Sequence, residues 1–290
     1  MAGRYYLETS SVRSAGRRLG DIRCMADCFT SAFVLFEFIT EITKSEREFN
    51  VRKACIVSLL DSGIHIELLL DTDRLKAAFP ILGHKPDHIG TFWRVLECVK
   101  DTKSISEFER LVADRQLTDY LERLEREHAD IVVAAMKIRE DGGLQEPGLE
   151  IIEKYRPGAT KKEKRKLLKR GRDITTAYWS ASGNRYLIEA LAYICAAQSI
   201  PDATEDDVER TAASYNGSVD VFIRAWGHAL DECQFGGYTP DENDFADLLH
   251  LMYLSDEDVL VSEERDTKLV TRAAREAGIR VQHVASLLEG

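Results

Sequence analysis

Hydrophobic and polar positions follow two different rhythms in this chain, one near both ends and another between them. Residues 4–8 (Arg-Tyr-Tyr-Leu-Glu) predict a short strand that runs out into Thr9, Ser10 and Ser11. From Thr30 the run Ser-Ala-Phe-Val-Leu-Phe-Glu-Phe-Ile-Thr-Glu-Ile has too many apolar residues for a surface helix and predicts one packed between layers. Residues 46–62 read as an amphipathic helix stopped at Gly63, and Ile64–Leu70 as a second strand. Strand, helices, strand is the opening of an α/β unit.

From about residue 74 only helical spacing follows, at 92–99, 105–123, 128–138, a basic stretch, 186–197 and 219–230, with breaks at Gly142-Gly143, Pro147 and Pro157-Gly158. After Gly236-Gly237-Tyr238-Thr239-Pro240 the α/β pattern resumes. Asn243-Asp244 caps an apolar helix through Leu254, Asp258–Val261 is a strand, 267–277 a helix stopped by Gly278, and Arg280–Val284 a last strand. The expected organisation is a discontinuous α/β domain, 1–73 and 238–290, interrupted by an all-α insertion at 74–237.

The chain has 290 residues, 44% hydrophobic and 31% charged, which is the composition of a soluble globular protein and excludes disorder as its main state. No basic region followed by an apolar run opens the sequence, and no stretch of about 18 apolar residues occurs. Neither a secretory signal nor a membrane contact is therefore expected, and the expected compartment is the cytoplasm. The six cysteines are scattered without a C-x-x-C pair. Cys24 and Cys28 lack the histidine or second cysteine pair that would complete a zinc set, so the thiols are expected reduced and mostly buried.

Net charge changes the picture once it is resolved along the chain. The total of −11 argues against a polyanionic partner. Residues 154–172, however, hold ten lysines and arginines against one acid, and residues 241–266 hold ten acids against one base.

Several of the acids sit where a ligand site would form. Glu8 falls at the carboxyl end of the first strand, the edge at which open α/β sheets bind ligands. Glu37 lies inside an apolar helix, Asp244 and Asp247 open the helix before the third strand, and Glu264 and Asp266 follow that strand. Each has a plain structural explanation: a polar face shared with Glu41, a solvated turn, a favourable helix dipole, a charged loop. Together they are harder to dismiss, because acids converging on one sheet edge repel unless a cation joins them. Oxygen-only ligands fit Mg²⁺ or Mn²⁺, the make-up of a site that activates water against a phosphodiester.

The order strand-Glu8-Thr-Ser, Ser31-x5-Glu37-Phe, Asn243-Asp244-x2-Asp247-Leu-Leu-His-Leu-x-Tyr-Leu, and Val-Leu-Val-Ser262-Glu-Glu264-Arg-Asp266 followed by a helix, Gly278-Ile and a strand resembles a PIN-domain nuclease. The resemblance covers 1–73 and 238–290. It implies a PIN-like Rossmannoid parallel sheet sandwiched by helices, a Mg²⁺- or Mn²⁺-dependent hydrolase, and RNA ahead of DNA as substrate. Carried across by position, Glu8, Glu37 and Asp247 stand for the family's first three acids, with Glu264 or Asp266 as the fourth. Asp244, Ser10 and Ser262 are auxiliary. Glu8 departs from the aspartate usual there, moving its oxygens by ~1.5 Å. The resemblance further implies a toxin or antiviral-defence setting, such as tRNA cleavage, with an inhibitor protein, a larger defence complex or a second copy of the chain as partners. Its alternative is a catalytically weak binding module of the same fold.

The basic segment offers the complementary chemistry. Lys161, Lys162, Lys164, Arg165, Lys166, Lys169, Arg170 and Arg172, with Tyr155, Tyr178 and Trp179 close by, have the make-up of a nucleic-acid grip in which cations hold phosphates and aromatics stack on bases. A solvated helix face is the plain alternative.

Overall fold

Five strands form one all-parallel sheet in the computed structural model, which describes residues 3–22, 27–86, 89–141, 148–178, 184–235, 238–264 and 268–288. They are β1 (Tyr5–Leu7), β2 (Cys28–Ser31), β3 (His65–Glu67), β4 (Val259–Val261) and β5 (Arg280–Gln282), in the order β3-β2-β1-β4-β5. Tyr5, Tyr6 and Leu7 lie opposite Val259, Leu260 and Val261, while Tyr5 and Tyr6 lie opposite Cys28 and Phe29. Composition explains the order. Every residue of β2 and β4 is buried, as befits central strands covered on both faces. The edge strands carry His65, Glu67, Arg280 and Gln282, polar residues that discourage further pairing.

Helices α1 (Thr9–Ala15), α2 (Ala32–Thr40), α3 (Glu46–Asp61) and α4 (Asp71–Ala77) come first along the chain. Then come α5 (Ile89–Asp101), α6 (Ile105–Asp114), α7 (Thr118–Asp141), α8 (Gly148–Tyr155), α9 (Lys161–Tyr178), α10 (Asn184–Ser199), α11 (Glu205–Ala213), α12 (Asp220–Phe235) and α13 (Glu242–Leu248), the last running into a 3₁₀ turn at Leu249–Tyr253. Helix α14 (Leu269–Glu276) joins β4 to β5, and α15 (Ala285–Leu288) follows. No described helix is long and apolar enough to cross a membrane.

From β1 the chain steps outward through β2 to β3, and from β4 it steps the opposite way to β5. Because parallel crossovers are right-handed, the two directions place α1, α2 and α3 on one face and α14 on the other. On the α14 face, α12 packs against α14 and the 3₁₀ turn, α7 against α13, and α9 lies outside on α12. One continuous cluster of buried side chains runs from Tyr6 to Leu287 through the helices of 74–237 as well as the two outer segments. A second buried feature joins three helices: Glu232 of α12, 1% exposed, lies between Arg172 of α9 at 2.5 Å and Arg272 of α14.

Local chemistry sets the element ends. Ser45 caps α3 by accepting from the Glu48 amide, and Gly63, at φ +77°, supplies the left-handed residue that releases the chain toward β3. Asp241, rather than the expected Asn243-Asp244 pair, caps α13, and Asp244 completes a capping box with it. The largest departure from the sequence is β2. The packed helix expected from Thr30 is in fact a buried strand to Ser31 followed by α2, since a short apolar run has no period that separates a buried strand from a buried helix. The expected helices at 105–123 and 128–138 are redistributed: Gln116, at φ +57°, breaks the first, and the remainder joins the second as α7.

Candidate active site

The order in which strands are added reverses between β1 and β4, so the carboxyl ends of these two parallel strands flank the topological switch point where α/β folds bind ligands. Glu8 follows β1 directly and caps α1, its carboxylate accepting from the Ser10 amide at 2.8 Å, the Ser11 amide at 3.1 Å and the Ser10 hydroxyl. Ser10 Oγ in turn accepts from the Glu263 amide at 2.9 Å, tying the loop after β4 to the first turn of α1. Ser262 Oγ accepts from the Glu264 amide at 3.0 Å.

Glu37 comes from α2, where Ala32, Phe33, Val34, Leu35, Phe36, Phe38 and Ile39 are all buried. At about 1.5–3 kcal/mol for each large side chain, that burial fixes the rotation of the helix and leaves Glu37 no freedom to turn away. Its carboxylate accepts from the Thr9 hydroxyl and pairs with His250 Nε2 at 3.0 Å. Glu41 does not share this environment, since it is half exposed and pairs with Arg52.

His250 stands in the 3₁₀ turn three residues after Asp247, buried against Phe33 at 4.8 Å between ring centres. Its Nδ1 lies 3.0 Å from the Tyr6 hydroxyl, which lies 2.8 Å from Ser31 Oγ. As an imidazolium it donates to Glu37 and to Tyr6, and Tyr6 donates onward to Ser31. Burial works against its charge, but Glu37, Glu8 and Asp247 overcome that and push it up to about 9. Burial would also raise Glu37, yet His250, Thr9 and His128 hold it below the ordinary carboxylate value. Glu8 is raised, chiefly by burial. Asp247 is pushed up to about 7 by burial and by Glu37, Glu8 and Glu264, against the pull of His250. Among the described residues no lysine or arginine pairs with Glu8, Glu37, Asp247 or Glu264.

The structure thus brings Glu8, Glu37, Asp247 and Glu264 within electrostatic reach of one another. Asp266 lies outside the described residues. Asp244 is buried but occupied elsewhere, accepting from the Tyr238 hydroxyl at 2.7 Å and the Asp241 amide at 3.0 Å. In the basic segment, Arg172 is committed to Glu232 and Glu276, and Lys164 to Glu153, so these two are structural ion pairs rather than open phosphate contacts. Lys161, Lys162, Arg165, Lys166, Lys169 and Arg170 are exposed. Four residues of the network were not among the candidate site residues read from the sequence: Thr9, Tyr6, Ser31 and His250. The usable signal was Asp247-x-x-His250, a spacing that puts both side chains on one helical face.

Among the described residues no three acid, histidine or cysteine side chains stand close enough to hold an ion as they are. The donor chemistry nonetheless fits a hard divalent cation, since Mg²⁺ keeps several waters and takes one or two carboxylates plus substrate phosphate rather than a full protein cage. Asp247 and Glu37, with Glu8 and Glu264 beside them, are the residues that would hold it. Comparison of the chain with family models, with curated proteins and with solved structures gives no match.

Proposed function

We propose that the chain is a metal-dependent nuclease of PIN-like type, an endoribonuclease that uses Mg²⁺ or Mn²⁺. One observation carries this reading: four carboxylates from separate elements lie within electrostatic reach of one another at the switch point of a parallel sheet, with His250 paired to Glu37 among them. Such strongly perturbed acids in a ligand-binding position mark functional sites. When bound, Mg²⁺ or Mn²⁺ supplies neutralisation of the scissile phosphate and acidifies water. Of the four carboxylates, one that the ion leaves free would accept the proton from the attacking water. His250 and Thr9 orient Glu37, and Tyr6, itself bonded to Ser31, holds His250.

The test is incubation of a broad pool of cellular RNA with the purified chain and Mn²⁺, followed by mapping of new RNA ends, beside Glu37→Gln and Asp247→Asn. Defined ends that need metal and vanish in both variants support the reading; an intact pool sinks it. A second reading, a binding module that has lost catalysis, is favoured by the same pairing of His250 with Glu37, because a built-in cation lessens the need for a metal. It requires that Mn²⁺ fail to raise the melting temperature.

A further inference from the structure

The basic segment folds as the second limb of a helical hairpin, α8–α9, closed by Lys164 Nζ and Glu153 Oε1 at 2.5 Å. Tyr155 stands at its tip, 73% exposed. Lys161, Lys162, Arg165, Lys166 and Lys169 line one open hollow on the outer side of α9, and none of the five has an ion-pair partner among the described residues. Like charges one turn apart destabilise a helix, and an anion seated in this hollow would relieve that repulsion.

The direction of the hairpin says where that anion lies. Gly171 abuts Phe235 while Thr176 Oγ1 donates to Asp231 at 3.1 Å, so α9 runs antiparallel to α12. Arg272 meets Glu232, while Tyr238, just past the end of α12, reaches back to Leu269, so α12 runs antiparallel to α14. Two reversals make α9 parallel to α14, which begins where β4 ends. The basic turns of α9 therefore project toward the carboxyl edge of the sheet, the edge that carries Glu8, Glu37 and Asp247.

We propose that the α8–α9 hairpin is a binding arm for single-stranded nucleic acid, its five cations holding the sugar-phosphate backbone and Tyr155 stacking on an unpaired base. The arm's binding stands without the nuclease reading; only its role in feeding the carboxylate site rests on it. A flat exposed aromatic beside a row of cations matches unpaired bases, which every single strand offers and a duplex hides.

The experiment is fluorescence anisotropy of the full chain with a labelled oligouridylate, alone and annealed to oligoadenylate, in EDTA so that nothing is cut. The single strand should bind more tightly than the duplex, with log K falling against log salt at a slope of about −3.5 for five phosphates. The triple variant Lys162→Gln, Lys166→Gln, Lys169→Gln should bring that slope to about −1.4. Tyr155→Ala should weaken binding about tenfold at an unchanged slope. All four substitutions are on exposed positions, and circular dichroism checks the fold. Equal binding of the duplex, an unchanged slope in the triple variant, or no effect of Tyr155→Ala overturns the proposal. A chain that binds this way but never cuts keeps the arm and loses the nuclease. One that cuts oligouridylate with an unchanged KM in the triple variant does the reverse.

Discussion

Two carboxylates on the α14 side of the sheet, the buried Glu232 and the half-buried Asp247, are treated in opposite ways. Glu232 lies between Arg172 and Arg272, from two different helices. Asp247 faces Glu37, Glu8 and Glu264, with His250 as the counter-charge that opposes them, and is driven up to about 7. A buried charge with its partners built in ties elements together. One left with an excess of its own sign costs stability, and such a cost persists where a ligand or a reaction needs it.

The contrast can be broken most sharply at Asp247. Asp247→Asn should lower metal-dependent RNA cleavage by about a thousandfold, ~4 kcal/mol of barrier, while denaturant unfolding shows stability unchanged or raised. A loss of stability there would place Asp247 in the same class as Glu232. Glu232→Ala should cost about 3 kcal/mol in the same unfolding measurement, at the low end for breaking a buried pair because the Arg172 and Arg272 side chains keep 35% and 34% exposure.

Dependence on pH sharpens the comparison further. Asp247 is raised from 3.8 to about 7, so the folded chain keeps a proton that the unfolded chain has lost, and stability falls as pH rises from about 4 to 7. His250 is raised from 6.5 to about 9, so its contribution is complete below 6.5 and is lost as pH rises through about 9. Both slopes have the same sign. The unfolding free energy should therefore decline from pH 4 to alkaline pH by several kcal/mol, and Asp247→Asn should flatten the lower half most, with a smaller loss in the upper half because Asp247 also helps to raise His250. The smallest effect belongs to the cap that starts α13: Asp241→Ala should cost about 1 kcal/mol and reduce cleavage only slightly, by loosening the helix that carries Asp247.

Much of this arrangement was legible in the sequence where an element had punctuation. Gly63 and Gly278 marked helix ends, and the polar residues after β1 and β4 marked the carboxyl edge. The strand β2 was not legible, because Cys28-Phe29-Thr30-Ser31 continues without a break into the apolar face of α2. Glu37 stood out as an acid in apolar surroundings, and Asp247 as an acid opening a helix beside the sheet edge. The partner that organises them did not, since a histidine in an apolar stretch shows its role only once Tyr6 and Glu37 are known to lie on either side of it. Charge density located the basic segment, but only packing separates Arg172, spent on Glu232, from Lys166, which faces solvent.

The crossover from β3 to β4 has a consequence for how the molecule comes into being. Strand β4 pairs with β1 from the far end of the chain, and the site draws Glu8 from the first residues and Asp247 and Glu264 from the last fifth. During synthesis the chain extends from its N-terminus, so β1 remains an unpaired edge on one side until residue 261 has left the ribosome. A nascent or prematurely terminated product holds Glu8 and Glu37 but neither Asp247 nor the loop that follows β4. The carboxylate cluster therefore assembles only once the chain has been made past residue 264.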